Sequence, residues 1–192
     1  MIFKSKCLLT TIVIVVILGT DINLFIPESA SLIWHIQHGS SIEMNGVRFR
    51  VPLFYIGRAD SARDTVFIDG QAGWLRHKIA RPGQVKSGLI MISFLRQSAG
   101  RISAEAAAQN VSRWWTKEGY VLNGRRAQEL AGHQGTCDEY SLGANPNPKL
   151  AESGTQVYCY FDGNVAAIFQ GNRRAVADFY SVLQTSHTKR NT

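Results

Sequence analysis

The densest cluster of reactive side chains is His133, Cys137, Asp138 and Glu139, a thiol, an imidazole and two carboxylates close together in the chain. Such a set could supply a nucleophile with its base, provided the imidazole reaches the sulfur. Two features weigh against that use. His133 lies in Ala131-Gly132-His133-Gln134-Gly135, which has the composition of a turn, and Cys159 competes for the Cys137 sulfur. His35 and His38 could share a metal from one helix face, but structural zinc takes four ligands and no third is in view, so they are read as polar interfacial residues. The local signatures of common hydrolases, zincins and nucleotide binders (Gly-x-Ser-x-Gly, His-Glu-x-x-His, Gly-x-Gly-x-x-Gly, Gly-x-x-x-x-Gly-Lys) do not occur. A non-catalytic role is favoured, and no catalytic residue, metal or cofactor is assigned.

Cys137 and Cys159 have a more specific reading. If the strands around them pair antiparallel about a loop centred near residue 148, the two positions stand opposite each other. Opposed residues in such a ladder lie about 4.5–5.5 Å apart at Cα, within the range a disulfide accepts. An oxidising compartment would let the bond form, and the alternative is a pair of buried thiols acting as small apolar groups. A redox enzyme would want Cys-x-x-Cys, which is not present.

Charge is unevenly spread. From Arg48 to Arg126 there are fourteen Lys and Arg against five Asp and Glu, whereas Ala127 to Thr188 holds three against six. Arg76, Lys78, Arg81 and Lys86, with Arg125 and Arg126, form a candidate basic surface. Nucleic acid is the partner such a surface often suggests. Behind a membrane segment, anionic headgroups or envelope polymers replace it, at about 1 kcal/mol per charge near the surface. Solvated strand faces are the plain alternative.

That membrane segment is the apolar run from Cys7 to Gly19, resuming at Ile22, Leu24, Phe25 and Ile26 before Pro27. About 20 residues suffice to span a bilayer. The small-residue site Glu28-Ser29-Ala30 puts a glutamate where a signal peptidase wants a small side chain, which favours an uncleaved anchor over a cleaved signal. Cys7 stands at the front of the apolar run, whereas a lipoprotein cysteine follows it. Lys4 and Lys6 favour a cytoplasmic N-terminus, so the rest of the chain is expected outside the cytoplasm, on the periplasmic side of a bacterial envelope. Pro27 to Gly39 reads as a juxtamembrane helix with Leu32, Ile33 and Ile36 on one face and Trp34 near the headgroups.

The elements that position these residues follow from local pattern. The 192 residues are 45% apolar and 18% charged, with a net charge of +7, a composition that folds. Without the N-terminal run, roughly 150 residues remain, enough for one core. Ile42 to Val51 alternates around Asn45-Gly46, a hairpin with Val47, Phe49 and Val51 inward. Strands are predicted at Thr65–Ile68, Trp74–Ile79, Leu89–Leu95, Val121–Leu122, Ala127–Leu130, Gln134–Leu142, Thr155–Phe161 and Val165–Gln170. Ser103 to Glu118 is a helix with Ser103 as its cap, and adjacent Trp114 and Trp115 cannot both be core. Arg173 to Gln184 is a second, with Asn172 as cap. The fold class is therefore α+β, an antiparallel sheet flanked by two main helices on one face, preceded by a transmembrane helix. The expected division is an anchor and juxtamembrane helix over 1–40, a globular domain over 41–186 and a polar tail over 187–192.

This order, together with the hairpin Tyr158-Cys159-Tyr160-Phe161-Asp162-Gly163-Asn164-Val165 leading into Val176–Leu183, resembles the PsbP/Mog1/DcrB-like fold group over Ile42 to Ser186. The resemblance implies a sheet flanked by helices, with the last helix packed back on it. Members are mostly non-catalytic assembly, binding or envelope-associated proteins, so it implies an accessory role with no site to transfer. The resulting expectation is an accessory or binding domain held at the envelope membrane, partnered by an envelope protein or component and not by nucleic acid. The alternatives are an envelope hydrolase or transferase with a dispersed site, and a domain that docks on anionic lipid.

Overall fold

The structure, a computed structural model, describes residues 29–70, 88–95, 103–143 and 154–188. The anchor segment with Cys7, the strand expected at Trp74–Ile79, the basic residues Arg76, Lys78, Arg81 and Lys86, and the body of the Gly143–Gly154 loop lie outside the described residues. Among those described, no helix is long and apolar enough to cross a membrane.

A helix over 29–38 (α1) leads into the predicted hairpin, β1 (Ser41–Met44) and β2 (Val47–Arg50), turned by Asn45 and Gly46 at φ 51° and 75°. Both central residues of this tight turn need positive φ, which is why Asn-Gly specifies it. Then come β3 (Tyr55–Asp60), β4 (Thr65–Gly70), β5 (Gly88–Phe94), α2 (Ala104–Lys117), β6 (Tyr120–Leu130), β7 (His133–Leu142), β8 (Thr155–Phe161), β9 (Val165–Gly171), α3 (Val176–Thr185) and β10 (His187–Thr188).

Among the described residues, seven strands form one antiparallel sheet in the order β3-β4-β5-β9-β8-β7-β6, and β1-β2-β10 form a smaller one. The chain leaves β5 in mid-sheet, crosses through α2 to the far edge at β6, then meanders back through β7, β8 and β9 to pair with β5. A crossover of that kind needs a long connection that covers the strands it skips. Accordingly α2 lies on the face that presents Tyr140, Tyr158, Tyr160, Ala166 and Ile168, against Ala108 and Trp115. The opposite face, through Val157, Cys159, Phe161, Ala167 and Phe169, meets α3 and the small sheet. The expectation of both helices on one face is therefore corrected. Each helix has one apolar stripe, but strand order, which no local pattern encodes, decides which face receives it.

Three further differences have local causes. Tyr55–Asp60 was not expected as a strand, because Gly57 and Arg58 interrupt its apolar pattern. Gly57 is required there, since a Cβ would stand 2.9 Å from Val51 Cγ2 and 3.1 Å from Trp34 Cζ2. The two fragments predicted between Val121 and Leu130 are one edge strand whose register shifts between Leu122 and Gly124; an exposed edge tolerates the polar run and bulge that look like a turn. Finally, His187 and Thr188, expected in a polar tail, pair with Arg48 and Val47 as β10.

Ser103 Oγ accepts from Ala106 N as the predicted cap of α2, whereas Asn172 Oδ1, accepting from Ala175 N, caps a 3-10 turn over Arg173–Ala175 that leads into α3. A longer-range device accompanies them. Asn164 Oδ1 accepts from Ala104 N at 2.9 Å while its Nδ2 donates to Leu95 O at 2.9 Å, so the β8–β9 turn ties the end of β5 to the start of α2. Phe49, Ile68, Ile90, Phe169 and Phe179 are fully enclosed on the α3 side, each such side chain contributing about 2 kcal/mol by removal from water.

Candidate functional site

On α2, Ala104, Ala108 and Trp115 form the buried stripe, and the 3.6-residue period puts Glu105, Gln109 and Ser112 along its flank. That flank faces β6, β7 and β8 across an open cleft of about 550 Å³, lined also by Arg113, Arg125, Asp138 and Tyr160. Ala108 keeps its wall low. Trp115 is core at 4% exposure and Trp114 is 56% exposed, so the tryptophan pair divides as its adjacency requires.

The floor is an ion pair fixed by register. Arg125 and Asp138 are equidistant from the Ala131-Gly132 turn and stand opposite each other across β6 and β7. Arg125 Nε donates to Asp138 Oδ1 at 2.6 Å and Nη2 to Oδ2 at 2.9 Å, a two-pronged geometry that fixes the guanidinium plane. The carboxylate is 7% exposed and the arginine 60%. The hydrogen bonds and charge of Asp138 push the Arg125 guanidinium further up from its ordinary value. Burial pushes the Tyr140 hydroxyl up, partly offset by a hydrogen bond with Ser112, and burial does the same to Tyr158. These shifts carry the phenols away from neutrality, so they stay protonated hydrogen-bonding groups. Two of the five N–H donors of Arg125 are committed to Asp138. The cleft thus offers arginine donors, an amide, hydroxyls and a carboxylate within reach of one ligand, which suits a polar group of mixed charge.

Arg126 points to the other face. It donates to Glu139 at 3.0 Å and lies over the Tyr180 ring at 4.3 Å. Arg125 and Arg126 are thus placed on opposite sides of one strand, each with a carboxylate partner, and the structure does not bring them together. Tyr180 itself is 8% exposed, its Oη has no hydrogen-bond partner among the described residues, and burial pushes its pKa up to about 12.

Cys137 and Cys159 stand opposite each other in β7 and β8, as predicted from the loop centre, and their sulfurs are 1.92 Å apart in a disulfide. That bond separates the members of the reactive cluster. Cys137 lies on the α3 side, Asp138 faces the cleft, Glu139 holds Arg126, and His133 Nδ1 pairs with Asp162 Oδ1 at 2.9 Å beside the β8–β9 turn. His35 and His38 are also committed: His35 Nε2 donates to Pro52 O at 3.1 Å with Ser40 Oγ 2.8 Å from its Nδ1, and His38 bonds Trp34 O. Among the described residues no group of three or more His, Cys, Asp or Glu is placed to hold a metal.

Sequence reasoning missed Glu105, Gln109, Ser112, Arg113 and Tyr160. A polar stripe at helical spacing beside an apolar one was a usable signal, and counting outward from Ala131-Gly132 would have paired Arg125 with Asp138. Neither reveals that the two meet across a cleft.

No family model matches the chain, and no curated protein matches it in sequence. Among solved structures, it is similar to the solution structure of cyanobacterial PsbP (CyanoP) from Synechocystis sp. PCC 6803, with a TM-score of 0.41 and 14% identity over 75% of this chain and 87% of that one. That neighbour is a PsbP protein, of the fold group that the element order resembles. The likeness is one of overall arrangement, and no residue role is carried over from it.

Proposed function

We propose that this chain is a single-span envelope protein whose domain, outside the cytoplasm, binds a partner protein or envelope component through the α2-side cleft and performs no chemistry there. The observation that carries the reading is the cleft floor: its most buried charge, Asp138, is spent on orienting Arg125. A preorganised guanidinium beside neutral donors and acceptors is recognition chemistry. General acid–base work would instead want a group tuned towards the working pH.

Two independent features support the compartment. The Cys7–Ile26 run is long enough to span, and a disulfide joining two core strands persists in oxidising surroundings. The test is cross-linking of the full-length protein in its native membrane, with mass spectrometry of attached peptides. A reproducible, stoichiometric adduct on the α2 flank supports the reading. Release of modified small-molecule product by the purified chain, abolished by Arg125→Ala, would replace it with an enzymatic one.

A further inference from the structure

A helix packed on a soluble domain turns its apolar side inward. Helix α1 does the reverse. The side chains it directs at the domain are Ser31, Trp34 and His35: Ser31 is 1% exposed, Trp34 packs against the core beside Gly57, and His35 bonds the Pro52 carbonyl. Those it directs away are Leu32, Ile33 and Ile36, at 44%, 54% and 84% exposure. Trp34, expected among headgroups, is thus partly buried in the protein, while the aliphatic stripe lies outside.

The His35–Pro52 bond also brings the β2–β3 turn alongside α1. Its tip carries Leu53 at 56% exposure and Phe54 at 36%, the latter held at φ 71°, a left-handed conformation uncommon for a bulky residue. Two segments on either side of the β1–β2 hairpin therefore present aliphatic and aromatic groups on one end of the domain. Apolar exposure at two points of one end marks an interaction surface.

We propose that this end of the domain lies in the bilayer interface, α1 along the membrane plane with Leu32, Ile33 and Ile36 immersed and the Leu53–Phe54 turn as a second point of contact. The inference rests on the tethered reading above and goes further, because a tether alone leaves the domain free to tumble. The occupant is identified by continuity: only Pro27 and Glu28 separate the apolar run ending at Ile26 from the start of α1, so a chain anchored by that run delivers this stripe to the lipid surface. Burial of apolar groups about 5–10 Å into the headgroup boundary is the usual mode of such helices. The attraction is apolar, so it resists salt, unlike docking through lysines and arginines. Two points of contact fix the orientation of the domain relative to the membrane, and α2, on the opposite face of the large sheet, is held facing away from it.

The test uses the full chain with Cys7→Ser, reconstituted in phosphatidylcholine–phosphatidylglycerol vesicles, carrying a nitroxide at Ile36→Cys, Leu53→Cys or, as control, Lys117→Cys on α2. The expected result is that labels at 36 and 53 collide more with oxygen than with a water-soluble nickel chelate, unchanged by high salt, while the label at 117 shows the reverse. Labels at 36 and 53 that behave as aqueous on a chain that floats with the vesicles would overturn the proposal and leave the tether standing. Labels shielded from both reagents would overturn it in favour of a protein cover, with spin–spin broadening identifying a second copy. A chain that does not float would remove the tether and this proposal together.

Discussion

The two faces of the large sheet are built from the same strands and do opposite things. Against α3 and the small sheet, Phe49, Ile90, Val157, Phe169 and Phe179 close a dry layer stapled by Cys137–Cys159. Against α2, the layer is tyrosine, alanine and one tryptophan, and it opens into a cleft floored by an ion pair. Alternation along a strand makes this division possible, since Cys137, Asp138 and Glu139 are neighbours in sequence yet serve a disulfide, the cleft and the far face. The lesson is that stability is concentrated on one side, leaving the other free to carry polar groups that a core would not accept.

That contrast breaks most visibly in the dry layer. Phe179 is fully buried with its ring centroid 5.7 Å from that of Phe169, and Phe179→Ala should cost about 3–5 kcal/mol through lost transfer energy and a cavity. Urea denaturation of the anchor-free domain measures it; a cost below that of any cleft substitution would invert the contrast. Next is the staple. Replacing both Cys137 and Cys159 with alanine should cost about 2–4 kcal/mol, mainly by relaxing a constraint on the unfolded chain. The wild type should fall towards the double variant in reductant, and the variant should not respond.

On the other face the effects shrink. Asp138→Asn leaves Arg125 without its charged partner, but the arginine is 60% exposed and can turn to water, so the loss of stability should be only about 1–2 kcal/mol. Its larger consequence should be on partner binding, because the guanidinium plane is no longer fixed. Equal losses of stability and binding would mean that the pair is structural.

Smallest of all is Tyr180→Phe. The Oη is buried with no partner among the described residues, so its removal should change stability by less than about 0.5 kcal/mol or raise it slightly. The same hydroxyl sets an alkaline signature. Its folded pKa, raised by burial to about 12, exceeds the ordinary phenol value of 10. The neutral form is therefore the one the fold favours, and its contribution is complete below pH 10 and is lost as pH rises towards 12. Denaturant midpoints across that window should fall for the wild type and fall less for Tyr180→Phe.

Much of this architecture was legible because it is local. Asn45-Gly46 specifies its hairpin, Ser103 and Asn172 their helix starts, and the symmetric placement of Cys137 and Cys159 about one loop their pairing. What was not legible depends on residues far apart in the chain. Asn164 reaches Ala104 and Leu95, Gly57 makes room for Trp34, and β5 is followed in the sheet by β9. The cleft belongs to this second group, since its two walls meet only once the crossover has laid α2 over β7 and β8. Its floor is the exception, a pair that hairpin counting alone would have found.

The most direct test of the division between the two faces is site-specific photocross-linking in the native membrane. One benzophenone side chain would replace Gln109, on the cleft flank of α2, and another Gln184, exposed on α3. The account predicts a discrete, reproducible protein or envelope adduct from position 109 and none from 184. Adducts from 184 with none from 109 would contradict it and move recognition to the face assigned here to stability.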